Sequence, residues 1–337
     1  MFSTFPKLAD RNFVLSFLLP ALLAFFAAAW AFPDVAAFRP LRSLTASDNQ
    51  LSELAYLTFG VWLIAVLLMT ANYTLFRLLE GYLPPVSWFV PLHSWHKRRF
   101  RALLSRHDTM MAEWEETLRQ GQRFSQTKQK EISRLLQIRL SRYPNSEADV
   151  LPTSFGNVIR AFEVYSKQVY GADAIPVWMR LVSVIPKDYA AQIDAVRAEV
   201  DCFVNITSLA FILSVVSLGR VAASGLNVTH GMIVAIIAFS VSILSYYSAV
   251  SRAITWGEVV KSTFDCYLPT LVKQLGYAVP PTEAERKAFW EQFNARVLYR
   301  SPMSCEWPPV DKSDDKESSE PSPDTAKDGA ANASDSS

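Results

Sequence analysis

Four apolar runs decide what this chain can fold into. Phe13 to Phe32 is twenty residues without a charge, Leu54 to Phe76 is twenty-three, and Cys202 to Gly219 is eighteen. A fourth run lies between Arg220 and Arg252, with its apolar heart at Met232 to Val250. A helix rises about 1.5 Å per residue, so twenty residues cover about 30 Å, the hydrocarbon thickness of a bilayer. Each run is too long for a buried strand and longer than most soluble core helices. Lipid offers the backbone no hydrogen-bond partner, so segments that cross it must pair their own polar groups as helices. The predicted fold is all-α, with four transmembrane helices at about 13–32, 54–76, 202–219 and 232–250. Pro20 predicts a kink in the first. Lys7, Arg11 and the alanines at 27–29 give that run some features of a signal peptide. Its apolar stretch exceeds the usual span of roughly 7–15 residues, so it reads as a retained helix.

The Lys and Arg placement orients the chain. Pro33 to Glu53 carries only Arg39 and Arg42, whereas Arg77 to Asp201 carries 18 Lys/Arg against 14 Asp/Glu. The long segment is therefore read as cytoplasmic, together with both termini. The domain reading is an N-terminal pair of spans (1–76), a cytoplasmic helical module (77–201), a second pair of spans (202–251), C-terminal cytoplasmic helices (252–310) and a tail (311–337). From Asp311 on there are 8 acids, 3 lysines and no apolar periodicity, which reads as a disordered acidic tail.

Pro84, Pro85, Trp88, Phe89 and Pro91 read as an elbow with aromatics at headgroup level. His93 to Tyr143 is polar and helix-prone, with Pro144 as its stop. Near its start, Lys97, Arg98, Arg99, Arg101 and Arg106 form a basic membrane-surface anchor; a polyanion-binding patch is the sharper alternative. Phe155, Val158, Ile159, Phe162, Tyr165 and Val169 give one apolar stripe at helical spacing. Gly171 ends that helix, Asp173 caps a short one carrying Val177, Trp178, Leu181 and Ile185, and Asp188 caps a third that runs into the membrane. After the fourth span the helix is expected to break at Pro269. Thr282 and Glu285 form a capping box for a helix over 283–298 with Phe289, Trp290, Phe293 and Val297 inward.

The search for chemistry returns little. Lys+Arg of 33 against Asp+Glu of 32 gives no bulk positive charge for nucleic acid. Cys202, Cys266 and Cys305 are too far apart in sequence for a disulfide framework or metal knuckle. No phosphate-binding glycine loop, nucleophile elbow or zinc-protease motif is present, and no cofactor is implied. His93 and His96, with His107 and Asp108, could be metal ligands, but their neighbours are basic; interfacial histidines fit better. Asn157, Arg160 and Glu163 share a face opposite the apolar stripe, and Asp173, Trp178 and Arg180 lie on the next helix. These six are the candidate partner or ligand contacts. The blander reading is an ion-paired corner in which Glu163 meets Arg160 or Arg180. Nearby Arg would lower a carboxyl pKa, which disfavours acid–base catalysis. The serines at 240, 242, 245, 248 and 251 read as helix-packing groups, with a pore lining as the alternative.

Gly156-Asn157, Glu163 with Tyr165, Tyr170-Gly171 with Asp173-Ala174, and Trp178 with Arg180-Leu181 resemble one block of an uncharacterised family of bacterial four-span inner-membrane proteins. Phe264, Asp265, Leu268, Leu271, Leu275, Pro280, Glu285 and Trp290 resemble a second block. The likeness spans roughly residues 150–300. It implies a bacterial inner membrane and implies no activity. The reading that results is a non-enzymatic, oligomeric membrane anchor or scaffold that docks a cytoplasmic protein partner. A ligand-gated channel or membrane-perturbing effector is the alternative, and a membrane enzyme the third.

Overall fold

The computed structural model describes residues 10–38, 50–121, 123, 125–224 and 228–303. In chain order the helices are α1 (Arg11–Ala31), α2 (Gln50–Glu80), α3 (Val90–Arg119), α4 (Gln126–Arg142), α5 (Ser154–Glu163), α6 (Tyr165–Tyr170), α7 (Ala174–Leu181), α8 (Lys187–Ser224), α9 (Val228–Gln274) and α10 (Glu283–Tyr299). The fold is all-α. Four helices, α1, α2, α8 and α9, are long and apolar enough to cross a membrane, and the chain is a multi-pass membrane protein. The stretch read as an acidic tail lies outside the described residues, as do Arg39 and Arg42.

The two C-terminal spans are far longer than a bilayer. With 38 and 47 residues, α8 and α9 extend about 57 and 70 Å. About 30 Å of each suffices to cross, so the remainder projects as a paired stalk. The shorter helices of the module wrap this stalk. Phe155, Val158, Ile159 and Phe162 of α5, Val177 and Leu181 of α7, Phe264, Leu268 and Leu271 of α9, and Phe289 and Phe293 of α10 belong to one buried core. That core continues down to Val204 and Ala249, inside the apolar runs, so no linker separates module from spans.

Three expectations about helix breaks need correction. Pro269 does not end the fourth long helix; α9 passes through it. A mid-helix Pro costs about 3 kcal/mol, and burial of Leu268, Leu271 and Val272 on either side offsets that cost. The polar stretch before Pro144 is two antiparallel helices, because Gly121 adopts φ +67° and reverses the chain between α3 and α4. The 155–170 stripe is interrupted at Val164, so α5 and α6 are separate helices. In α1 the residue behind the predicted kink appears differently: a π turn, Val14–Leu18, precedes Pro20. Pro20 has no N–H to give the Ser16 carbonyl, and Asn205 Nδ2 donates to that oxygen at 2.8 Å. Ser16 Oγ donates in turn to Ala198 O at 3.2 Å, fixing α1 to α8.

Candidate functional site at the junction of spans and module

The start of α5 is built between two spans. Thr153 caps α5: its Oγ1 accepts from Gly156 N at 2.9 Å and donates to Glu80 O, the last carbonyl of α2, at 3.0 Å. A Cβ on Gly156 would lie 2.2 Å from that same carbonyl, so only glycine permits the approach. Phe155 N donates to the Tyr246 hydroxyl of α9 at 3.2 Å, and the Phe155 ring meets Phe76 of α2 edge-on at 5.5 Å. The donors that a helix N-terminus leaves unpaired are thus taken up by the capping threonine and by the fourth span.

Asn157 belongs to this construction and not to a free face, which corrects the sequence reading. It is fully buried; Nδ2 donates to Leu151 O and Thr153 O at 2.8 and 2.7 Å, and Oδ1 accepts from Leu151 N at 2.7 Å. Its face of α5 is covered by the 150–153 turn, as the opposite face is covered by α9. Arg160 turns to the same region, donating to Asp149 Oδ1 at 2.6 Å, and its other nitrogen lies 3.6 Å from Glu163. That Arg160–Glu163 contact is within one helix and ties nothing together. Burial raises the Glu163 carboxyl above its ordinary value, and this outweighs Arg160 and Arg77, which pull it down. The sequence had suggested the opposite sign.

Arg180 is elsewhere. Its guanidinium donates to Pro176 O at 2.6 Å and lies 5.7 Å from the centre of the Phe293 ring. With Tyr277, Phe293, Arg296 and Met303 it borders an open groove of about 360 Å³. The expected Glu163–Arg180 pair is absent, because Arg180 faces α10 while Glu163 faces the end of α2. Trp178 packs against Phe264 at 5.8 Å, partly buried. Asp173 occupies the cap position of α7 without a side-chain cap bond and pairs loosely with Lys167 at 3.7 Å.

The basic anchor divides in two. Arg101 is held by Glu147 at 2.5 and 2.8 Å, and Arg106 by Glu131. Lys97, Arg98 and Arg99 have no carboxylate partner among the described residues; Arg99 lies 5.2 Å from the centre of the Trp95 ring. His93 Nε2 bonds Val150 O at 2.8 Å, while His96 is buried with Nδ1 3.2 Å from the Tyr143 hydroxyl. Burial lowers the His96 pKa to about 4, with help from Arg99. Among the described residues no three metal-ligating side chains converge.

Two contacts had no counterpart in the sequence reading. Asp265 Oδ1 accepts from both Tyr165 and Tyr170, at 2.9 and 2.8 Å, joining α6 to α9. Burial and that carboxylate push the Tyr170 phenol up to about 12, so it remains a donor. Asn294 of α10 clasps the turn before α7, donating to Gly171 O at 2.8 Å and accepting from Asp173 N at 3.1 Å. The helical turn Tyr170-Gly171, with Gly171 at φ +76°, was the only local signal for this clasp. Two of the span hydroxyls bridge helices, Ser242 Oγ donating to Thr207 O and Ser214 Oγ to Ala235 O across α8 and α9, while Ser240 and Ser248 bond within their own helix. No family model, curated protein or solved structure matches the chain.

Proposed function

We propose that the chain is a non-enzymatic, oligomeric scaffold of the bacterial inner membrane, with its helical module and both termini in the cytoplasm, and that the module docks a cytoplasmic protein partner. The observation that carries this is the two-sided α7. Val177 and Leu181 are fully buried against the core, while Ile175 and Met179 on the outer side are each 76% exposed and Val182 is 45% exposed. A short helix that is apolar on both faces is suited to cover on both, and the outer face has none among the described residues. The candidate side chains Asn157, Arg160 and Arg180 are engaged in internal bonds, which supports a structural role for them. The inner-membrane placement rests on the family resemblance and the orientation on the Lys/Arg distribution.

The test is a photo-crosslinking residue at Met179 in intact cells. A covalent adduct to a second protein is expected, and none from a control position at Glu115. An adduct only between copies of the chain would support the oligomer and reject the partner; no adduct at all would reject docking at α7. Orientation is checked by fusing a periplasm-active reporter after Gln120, where an active reporter would reverse it.

A further inference from the structure

The elbow between α2 and α3 has an exposed apolar face that no other described residue covers. Trp88 is 74% exposed, Phe89 63% and Val90 66%, and Leu92 and Trp95 are also exposed. Soluble surfaces seldom gather two tryptophans, a phenylalanine and two aliphatics over eight positions. The position of the elbow says what covers it. It follows directly on α2, whose last carbonyl is bonded to Thr153. Next to Thr153, Phe155 N is bonded to Tyr246, which belongs to the apolar heart of the fourth span. At the start of α3, His93 is bonded to Val150 O, three residues before Thr153. The elbow is therefore held at the height where two spans leave the hydrocarbon.

The side chains of α3 are sorted to match. His96 and Phe100 point inward and are buried, while Leu92 and Trp95 point outward. Just beyond them come Lys97, Arg98 and Arg99, the three basic residues of α3 without a carboxylate partner among the described residues. Arg101 and Arg106, further along, are neutralised by Glu147 and Glu131. Within α3, the positive charges that no carboxylate pairs among the described residues are thus the three next to the aromatic patch. Tryptophan at the water–lipid boundary and Lys/Arg beside it are the pattern by which a surface helix holds an anionic leaflet.

We propose that the elbow Val86–Trp95 is inserted in the headgroup layer of the leaflet on the module's side, and that Lys97, Arg98 and Arg99 form a binding site for anionic lipid headgroups. This holds whichever side of the membrane the module faces, and it does not depend on the partner assigned to α7. The hairpin α3–α4 would then be fixed at its base by lipid as well as by protein.

The test uses the full chain in nanodiscs made either of phosphatidylcholine alone or with about 30% phosphatidylglycerol. A nitroxide is placed at Phe89→Cys, with Cys266→Ser and Cys305→Ser to remove other labelling sites; Cys202 is buried. Power saturation should find position 89 accessible to oxygen and poorly accessible to a water-soluble nickel chelate, and a label at Arg119→Cys the reverse. Nickel access at 89 equal to that at 119 would put the elbow in water and overturn the insertion. Shielding of position 89 from both reagents would mean that protein, such as a second copy, covers it, and would overturn it equally. For the charge site, native mass spectrometry should find phosphatidylglycerol enriched on the released protein. The combined K97Q, R98Q and R99Q variant should lose that enrichment by about a hundredfold, at three charges of roughly fivefold each, while R101Q with R106Q keeps it. Equal enrichment in both variants would overturn the assignment. Unchanged enrichment in the first, with its melting temperature intact, would do so too.

Discussion

The helices around α9 and the hairpin α3–α4 are both additions to a set of spans, yet they are attached in different ways. The α5–α7–α10 group shares one apolar core with the stalk and fills its helix-end valences with groups from α2 and α9. The hairpin has a smaller core of Phe100, Tyr143 and Val150 at its base, with Ile132 and Leu135 buried along α4 and Leu140 O bonded by Lys261 of α9. Beyond that it is held by exposed ion pairs: Arg101–Glu147, Arg106–Glu131 and Lys128–Glu113. Ion pairs in water contribute roughly 0–1 kcal/mol each, against about 25 cal/mol for every Å² of apolar surface buried. One attachment moves with the membrane; the other can loosen without disturbing it.

The largest effects should come from breaking the first attachment. Phe155→Ala removes a fully buried ring and should cost about 3–5 kcal/mol. Gly156→Ala drives a Cβ into a backbone carbonyl and should cost at least the roughly 1–3 kcal/mol of ordinary overpacking. Both should lower the melting temperature of the purified protein in detergent and expose the module to protease. If either variant melts like wild type, the continuity of core and spans is wrong.

Acid should act on the hairpin instead. His96 titrates at about 4 in the folded chain and near 6.5 when unfolded, so below pH 6.5 the unfolded state binds more protons. Stability from the neutral ring is complete above pH 7 and is lost as the pH falls from about 6.5 to 4, by up to about 3 kcal/mol. Protease cleavage near Gly121 should rise over that window, and His96→Phe should flatten the rise. A cleavage profile flat in both proteins would contradict the burial of His96.

Within the membrane, Asn205→Ala leaves the Ser16 carbonyl without its donor and should cost about 1–2 kcal/mol, read as a lower melting temperature. Asn205→Asp would keep the size and lose the donor, and should be no better tolerated. The smallest effect belongs to the surface pairs. Arg106→Gln should change stability by less than about 1 kcal/mol, and the wild-type hairpin should become more protease-sensitive in about 1 M salt while the module does not.

These contrasts also mark how far the sequence could be read. The spans were legible because uncharged length is a local property, and the Thr282–Glu285 box because it needs only a spacing; both of its bonds form, at 3.2 and 3.3 Å. Helix faces were legible from periodicity, so the buried set Phe155, Val158, Ile159 and Phe162 was foreseen. What lies opposite a face was not. The i, i+3, i+6 spacing put Asn157, Arg160 and Glu163 together, but it could not say that a turn at 150–153 would cover Asn157, or that Asp149 would take Arg160. Pro269 carried a local stop signal that distant packing overrode. For Glu163 the neighbouring charges could be read in part and the desolvation could not, and desolvation decides the sign.

The central claim is that the module around α9 and the membrane spans form one cooperative unit, with the hairpin outside it. Hydrogen exchange of the full chain in nanodiscs measures this directly. Amides of α5 and of α9 between Ala253 and Val272 should exchange only in the same slow, cooperative event as the spans, while α4 exchanges well before them. If α5 and the outer half of α9 exchange as fast as α4, the module is a separately folding attachment and the account is wrong.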